Sequence, residues 1–261
     1  KKKAALSLLL LLCMSTAGIA QQTETASHSQ TSKAQVDSII KANVVSKEHA
    51  AEFAKLIIQD DGRMKPVNTF ASELLRKISR KDSYEGLDAN QVFISMSEFP
   101  RLWVEAPLIS LKRGNDSIRK VIGVEEDTER ISLLDLFDAK GNYKLEPYLE
   151  QATAKANPNQ FEKDFIKAHE NFYLLNQALS GSILKIFPIP NDENNKWVSF
   201  PELSEANFTG MDSTVTRTIL PIYFQSVKNS RTTGDYSEPN QLLDGIETFQ
   251  KKYKQRSSTI K

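Results

Sequence analysis

The chain has 261 residues, 39% apolar and 26% charged, a composition that excludes wholesale disorder. Lys plus Arg total 34 and Asp plus Glu 33, which excludes the basic surplus of a sequence-independent nucleic-acid binder. One cysteine, Cys13, excludes an internal disulfide framework and a cysteine-built zinc or iron–sulfur site, and three histidines (His28, His49, His169) leave little for a histidine metal centre.

Lys1-Lys2-Lys3 opens the chain, followed by an apolar run centred on Leu8 to Leu12 and by small residues ending at Gly18-Ile19-Ala20. This order reads as a secretory signal over residues 1–20, cut before Gln21. The span is also close to the ~20 residues that cross a bilayer, so a retained anchor is the other reading. Both place the remainder at the periplasmic face of the inner membrane. Cys13 lies inside the leucine run and reads as part of the targeting segment. Residues 21–43 are expected to form a flexible polar tether, rich in Gln, Thr and Ser up to Ser38. The folded domain is then 44–261.

Ser46 is placed to cap a helix from Lys47 to about Ile57, with Ala50, Phe53, Ala54 and Ile57 on one face. Asp60-Asp61-Gly62 breaks it. Asn68 or Thr69 then caps a helix to about Ile78, with Phe70, Leu74, Leu75 and Ile78 inward. Asp88 with Gln91 forms a capping-box pattern, and the helix it opens ends before Pro100. Trp103 to Leu111 includes a short strand that pairs with Glu129 to Ser132, and Ser132 caps a short helix through Phe137. Tyr148 to Ala156 and Gln160 to about Leu179 are helical, with Gly181 ending the second. Ile183 to Pro190 reads as an edge strand and Asn191 to Lys196 as a polar loop. Asp212 or Ser213 caps a helix kinked at Pro221, and Ser237-Glu238-Pro239 opens the last one. The fold expected is mostly α with a few short strands, a single helical domain.

No phosphate-binding glycine loop, His-Glu-x-x-His, Gly-x-Ser-x-Gly or Cys-x-x-Cys-His motif is present, so no catalytic residue and no metal ligand set is assigned. His49, beside an apolar stripe, and His169, in the long helix next to Glu170, are the candidate haem ligands, with an ordinary surface or half-buried imidazole as the alternative. The densest polar stretch is Gln59 to Thr69. It presents Asp60, Asp61, Arg63, Lys65 and Asn68 as a candidate docking surface, with a helix N-terminus near Asn68 to favour an anion. The structural alternative pairs Asp60 or Asp61 with Arg63.

Phe53-Ala54-Lys55-Leu56-Ile57-Ile58-Gln59-Asp60-Asp61-Gly62-Arg63-Met64-Lys65-Pro66-Val67-Asn68-Thr69 and Glu73 to Lys81 resemble a segment of the fused ResB/CcsA-type (system II) cytochrome c biogenesis proteins of Bacteroides-like bacteria. So do Ile186 to Asp192 through Lys196-Trp197-Val198-Ser199, Asn207-Phe208-Thr209-Gly210 and Thr233-Gly234-Asp235-Tyr236-Ser237. The resemblance runs from about residue 44 to the end. It implies a machinery that exports haem and joins it to apocytochrome c. The family's tryptophan-rich loop and its histidines at membrane helices are missing here, since Trp103 and Trp197 stand alone. The chain therefore resembles only the extracytoplasmic segment that precedes the haem-handling membrane part, and no catalytic residue carries over. The role implied is non-catalytic: scaffolding, or support of apocytochrome and haem delivery, within a haem-lyase type assembly. The partners implied are the membrane haem-handling subunits or domains of that assembly and apocytochrome c. No cofactor is expected in this domain, haem being handled by the wider assembly. The competing reading is a free-standing periplasmic helical binding protein for a small molecule.

Overall fold

Residues 33–114 and 116–254 are described in a computed structural model; the segment 1–20 read as a signal or anchor, and residues 21–32 of the predicted tether, lie outside the described residues. The first element corrects the sequence reading. Helix α1 (Lys33–Ala42) forms within the predicted tether and buries Val36 and Ile40, four residues and one turn apart. The Tyr84 hydroxyl donates to Asp37 at 2.7 Å and fixes the same helix. Structure is thus ordered ahead of Val44: two apolar side chains on one face suffice when a core is there to receive them.

Helix α2 (Lys47–Phe53) starts as predicted, with Ser46 Oγ accepting the His49 N–H at 3.1 Å. It ends before the expected Ile57, because Ile57–Asp60 is extended as strand β1. Strand β2 (Arg63–Pro66) pairs with it antiparallel, Ile57 opposite Pro66 and Asp60 opposite Arg63. Asp61 and Gly62 carry φ of 47° and 75°. Two successive positive φ values make the type I′ turn that suits a two-residue hairpin, and Asp-Gly is a preferred pair for it. Helix α3 (Val67–Ser79) follows at once, with Pro66 at its N-cap position in place of the predicted Asn68 or Thr69. It buries Phe70, Leu74, Leu75 and Ile78, the face expected.

A small hairpin, β3 (Ser83–Tyr84) with β4 (Leu87–Asp88), leads into α4 (Ala89–Glu98), which carries the predicted Asp88–Gln91 capping box. Helix α5 (Pro100–Glu105) takes up the first residues of the stretch expected to include a short strand, and its buried Trp103 donates from Nε1 to Ser95 Oγ at 2.9 Å. Strand β5 (Ile109–Ser110) pairs with β6 (Arg130–Ile131) as predicted. Between them lies α6 (Asp116–Ile122), which the sequence reading missed. Helices α7 (Glu146–Thr153) and α8 (Gln160–Leu179) match the two middle segments, α8 opening on an Asn159–Glu162 capping box. Strands β7 (Phe187–Pro188) and β8 (Trp197–Val198) flank the polar loop. Helix α9 (Gly210–Thr233) begins before the expected Asp212, whose carboxylate instead accepts from Lys252, at 2.7 Å, and from the Tyr253 hydroxyl. Pro221 sits on the exposed side of α9, where water can take the carbonyl that proline leaves unbonded. Helix α10 (Ser237–Lys254) buries Leu243, Ile246 and Phe249.

The described residues form one mainly helical domain with four two-stranded antiparallel ladders. Its core is a continuous apolar cluster. Phe53 of α2 lies 5.6 Å from Tyr223 of α9 and 6.5 Å from Phe93 of α4, and Phe93 meets Phe70 of α3 edge-on at 5.6 Å. Four helices therefore share one aromatic seam.

The membrane expectation needs correction. Among the described residues no helix is long and apolar enough to cross a membrane, so no anchor at the periplasmic face of the inner membrane is found. The longest helices are studded with charge: α8 alone carries Glu162, Lys163, Asp164, Lys167 and Glu170. Charged side chains at such spacing are costly in hydrocarbon.

Candidate functional site

The candidate docking residues lie on the β1–β2 hairpin and the start of α3. Asp61, Arg63 and Asn68 are exposed and Asp60 and Lys65 are half-buried. Lys65 Nζ sits 2.8 Å from Asp60 and 2.9 Å from Glu73, and hydrogen bonds to these two carboxylates raise its pKa. The structural pairing is therefore Asp60–Lys65–Glu73, which ties the hairpin to α3, and not an Asp–Arg63 pair. The α3 N-terminus is also spoken for. The Val67 N–H donates to Leu56 O at 2.8 Å and the Asn68 N–H to Ala54 O at 3.0 Å, so these two backbone donors are not available to an anion. What the hairpin offers to a partner is its tip, Asp61 to Met64, with Arg63 and Met64 exposed.

Behind the tip, two glutamines hold β1 in place. Gln59 donates from Nε2 to Asn195 O at 2.9 Å and accepts the Trp197 N–H at 2.9 Å. Buried Gln250 of α10 donates to Ile57 O at 2.8 Å and Ile186 O at 3.0 Å. Phe249, beside it, meets Phe187 and Phe208, each at 6.0 Å between ring centres. Stretches 53–69, 186–199 and 207–210, which carry the family resemblance, thus converge on α10.

The fourth such stretch, 233–237, forms the wall of a cleft of about 700 Å³ where the start of α2, the end of α9 and the start of α10 meet. His49 is buried at its floor, 2% exposed. Its Nδ1 lies 2.8 Å from Asn240 Oδ1 and its Nε2 2.9 Å from the Tyr223 hydroxyl. An amide oxygen only accepts, so Nδ1 carries the proton and Nε2 accepts from Tyr223. Tyr236 stacks on the imidazole with ring centres 4.6 Å apart. Burial lowers the His49 pKa, opposed by the Asn240 bond and the Glu52 charge and reinforced by Arg231. Burial likewise holds the Tyr223 hydroxyl well above its usual pKa. Arg231 pairs with Glu98 of α4 and lies 5.1 Å from the centre of the Phe99 ring. Burial raises the Glu98 pKa even against that guanidinium.

The two haem candidates are placed differently. Both ring nitrogens of His49 are engaged, so taking iron there requires giving up Tyr223 or Asn240. His169 is half-buried and shares Nδ1 with the Tyr143 hydroxyl at 3.1 Å, beside Phe172; burial lowers its pKa. The structure does not bring the two histidines to a common site. Among the described residues no group of three or more His, Cys, Asp or Glu is set to hold a metal. Sequence reasoning named His49 but missed Tyr223, Arg231, Tyr236 and Asn240 as its surroundings. The one signal available was Gly234-Asp235-Tyr236-Ser237, a short polar link between two long helices.

No protein-family model matches the chain. Over 160 residues, 60% of its length, it is 34% identical to Protein NrfI of Wolinella succinogenes. The chain spans 17% of that relative's length.

Proposed function

We propose that this domain is a non-catalytic part of a cytochrome c biogenesis assembly of the fused ResB/CcsA type (system II), scaffolding the assembly or supporting delivery of apocytochrome c and haem. The similarity to Protein NrfI carries the reading, since 60% of the chain takes part in it. The ordered resemblance of four separate stretches supports it, and these stretches pack against one another or line one cleft. The partners proposed are the membrane haem-handling subunits or domains of the same assembly and apocytochrome c; haem is cargo of the assembly and is not resident in this domain. The docking surface proposed is Asp60, Asp61, Arg63, Lys65 and Asn68, with Arg63 at its exposed tip and Lys65 as the brace behind it.

The test is haem-stained cytochrome c in cells that carry the complete machinery, set beside thermal melting of the purified chain. Deleting residues 44–261 should abolish maturation. Arg63→Ala should lower it with an unchanged melting temperature, because exposed changes of this kind stay within about 0.5 kcal/mol. Normal maturation after the deletion refutes the assembly role and leaves the free-standing binding protein. Loss after the deletion with normal maturation in Arg63→Ala refutes only the docking surface.

A further inference from the structure

The cleft beside His49 presents two side-chain donors that no other group of the described residues uses. The Tyr236 hydroxyl receives the Ser46 N–H at 3.4 Å, and its own hydrogen has no acceptor among the described residues. Asn240 uses Oδ1 on His49, and its amide N–H groups have no partner among the described residues. Arg231 also borders the cleft but offers it no donor at Nε: the guanidinium pairs with Glu98, and the unpaired Nε is sealed from solvent. Tyr236 and Asn240 line the same open cleft of about 700 Å³. Both side chains are half-buried, so a ligand's acceptor takes the place of water on these donors.

Charge selects the kind of acceptor. Glu98 already balances Arg231. Glu48 and Glu52, one turn apart on α2, also line the cleft. Glu52 faces Lys55 at 2.5 Å, while exposed Glu48 has no ion-pair partner among the described residues. An anion entering here meets an uncompensated carboxylate. A bare cation leaves the donors unused. A peptide answers both, with carbonyl oxygens for Tyr236 and Asn240 and a basic side chain for Glu48. We propose that this cleft binds an extended polypeptide segment carrying a lysine or arginine. His49 holds Asn240 by a hydrogen bond and Tyr236 by stacking, so the donors are positioned before the peptide arrives and little ordering is needed on binding. The inference rests on this geometry and is independent of the assembly in which the domain works.

The experiment is fluorescence anisotropy of the full chain with an N-acetylated, C-terminally fluorescein-labelled Ala-Lys-Ala-Lys-Ala peptide and its Ala-Glu-Ala-Glu-Ala counterpart. The lysine peptide should bind saturably and the glutamate peptide should not. Glu48→Gln, an exposed change that leaves the fold intact, should weaken binding about two- to fivefold, the scale of one exposed ion pair. Tyr236→Phe keeps the ring on His49, removes only the hydroxyl, and should also weaken binding. The proposal is overturned if no saturable binding is seen, if the glutamate peptide binds equally, or if both variants bind like the parent. It is also overturned if free lysine competes as well as unlabelled lysine peptide, which would make the cleft an amino-acid site.

Discussion

Replacing His49 by glutamine removes a buried imidazole whose two nitrogens join α2 to α9 and α10. Glutamine can keep one of the two bonds at best, and the Tyr223 hydroxyl it abandons is deeply buried. Leaving one such group unsatisfied costs roughly 1–3 kcal/mol. The pH dependence is the more telling readout. The folded-state pKa of His49 is depressed, so the unfolded chain binds a proton that the folded chain resists. The stability contributed is therefore complete above the unfolded value near 6.5 and is lost as pH falls below it. Between pH 7.5 and 5.5 the loss is at most about 1.4 kcal/mol, the limit for a ring that takes no proton while folded. Glu98, whose pKa burial raises, acts with the opposite sign on acidification, but it is common to the parent and the variant and cancels in their comparison. Urea unfolding of the parent and of His49→Gln at both pH values measures the effect. The parent should lose stability on acidification, and the variant should lose clearly less, with a remainder from His169, whose pKa is lowered in the same sense. An identical pH slope in the two proteins would refute the argument that His49 is held neutral by its burial.

Gln250→Ala should destabilise by roughly 2–4 kcal/mol in urea melts, because it strips bonds from the Ile57 and Ile186 carbonyls at a buried position. Glu98→Ala should cost roughly 3–5 kcal/mol by leaving Arg231 buried without its counter-ion, whereas Glu98→Leu with Arg231→Met should recover most of that loss in the same assay. Lys65→Ala should cost no more than about 1 kcal/mol, and the loss should shrink in high salt, since the Asp60–Lys65–Glu73 cluster is partly exposed.

Periodicity and end signals alone determined most of the helices. Ser46, the Asp88–Gln91 pair and Gly181 mark helix ends through hydrogen bonds and backbone angles set within a few residues, and such local physics is written in local sequence. The Asp61-Gly62 turn was legible for the same reason. Where the reading failed, a distant partner decided. The polar segment before Val44 is helical because Val36 and Ile40 find a core. Ile57 leaves its predicted helix because Gln250 and Pro66 hold it in an extended strand. Lys65, rather than Arg63, neutralises Asp60, although both lie on one face of β2, because only Lys65 also reaches Glu73 on the following helix. The cleft was the least legible feature. His49 was visible as a histidine beside an apolar stripe, but its hydrogen-bond partners lie 174 and 191 residues away in sequence. Hydrophobic spacing specifies which face of a helix is buried; only the packing of α2 against α9 and α10 specifies which polar groups that burial brings together, and so which donors are left facing the cleft.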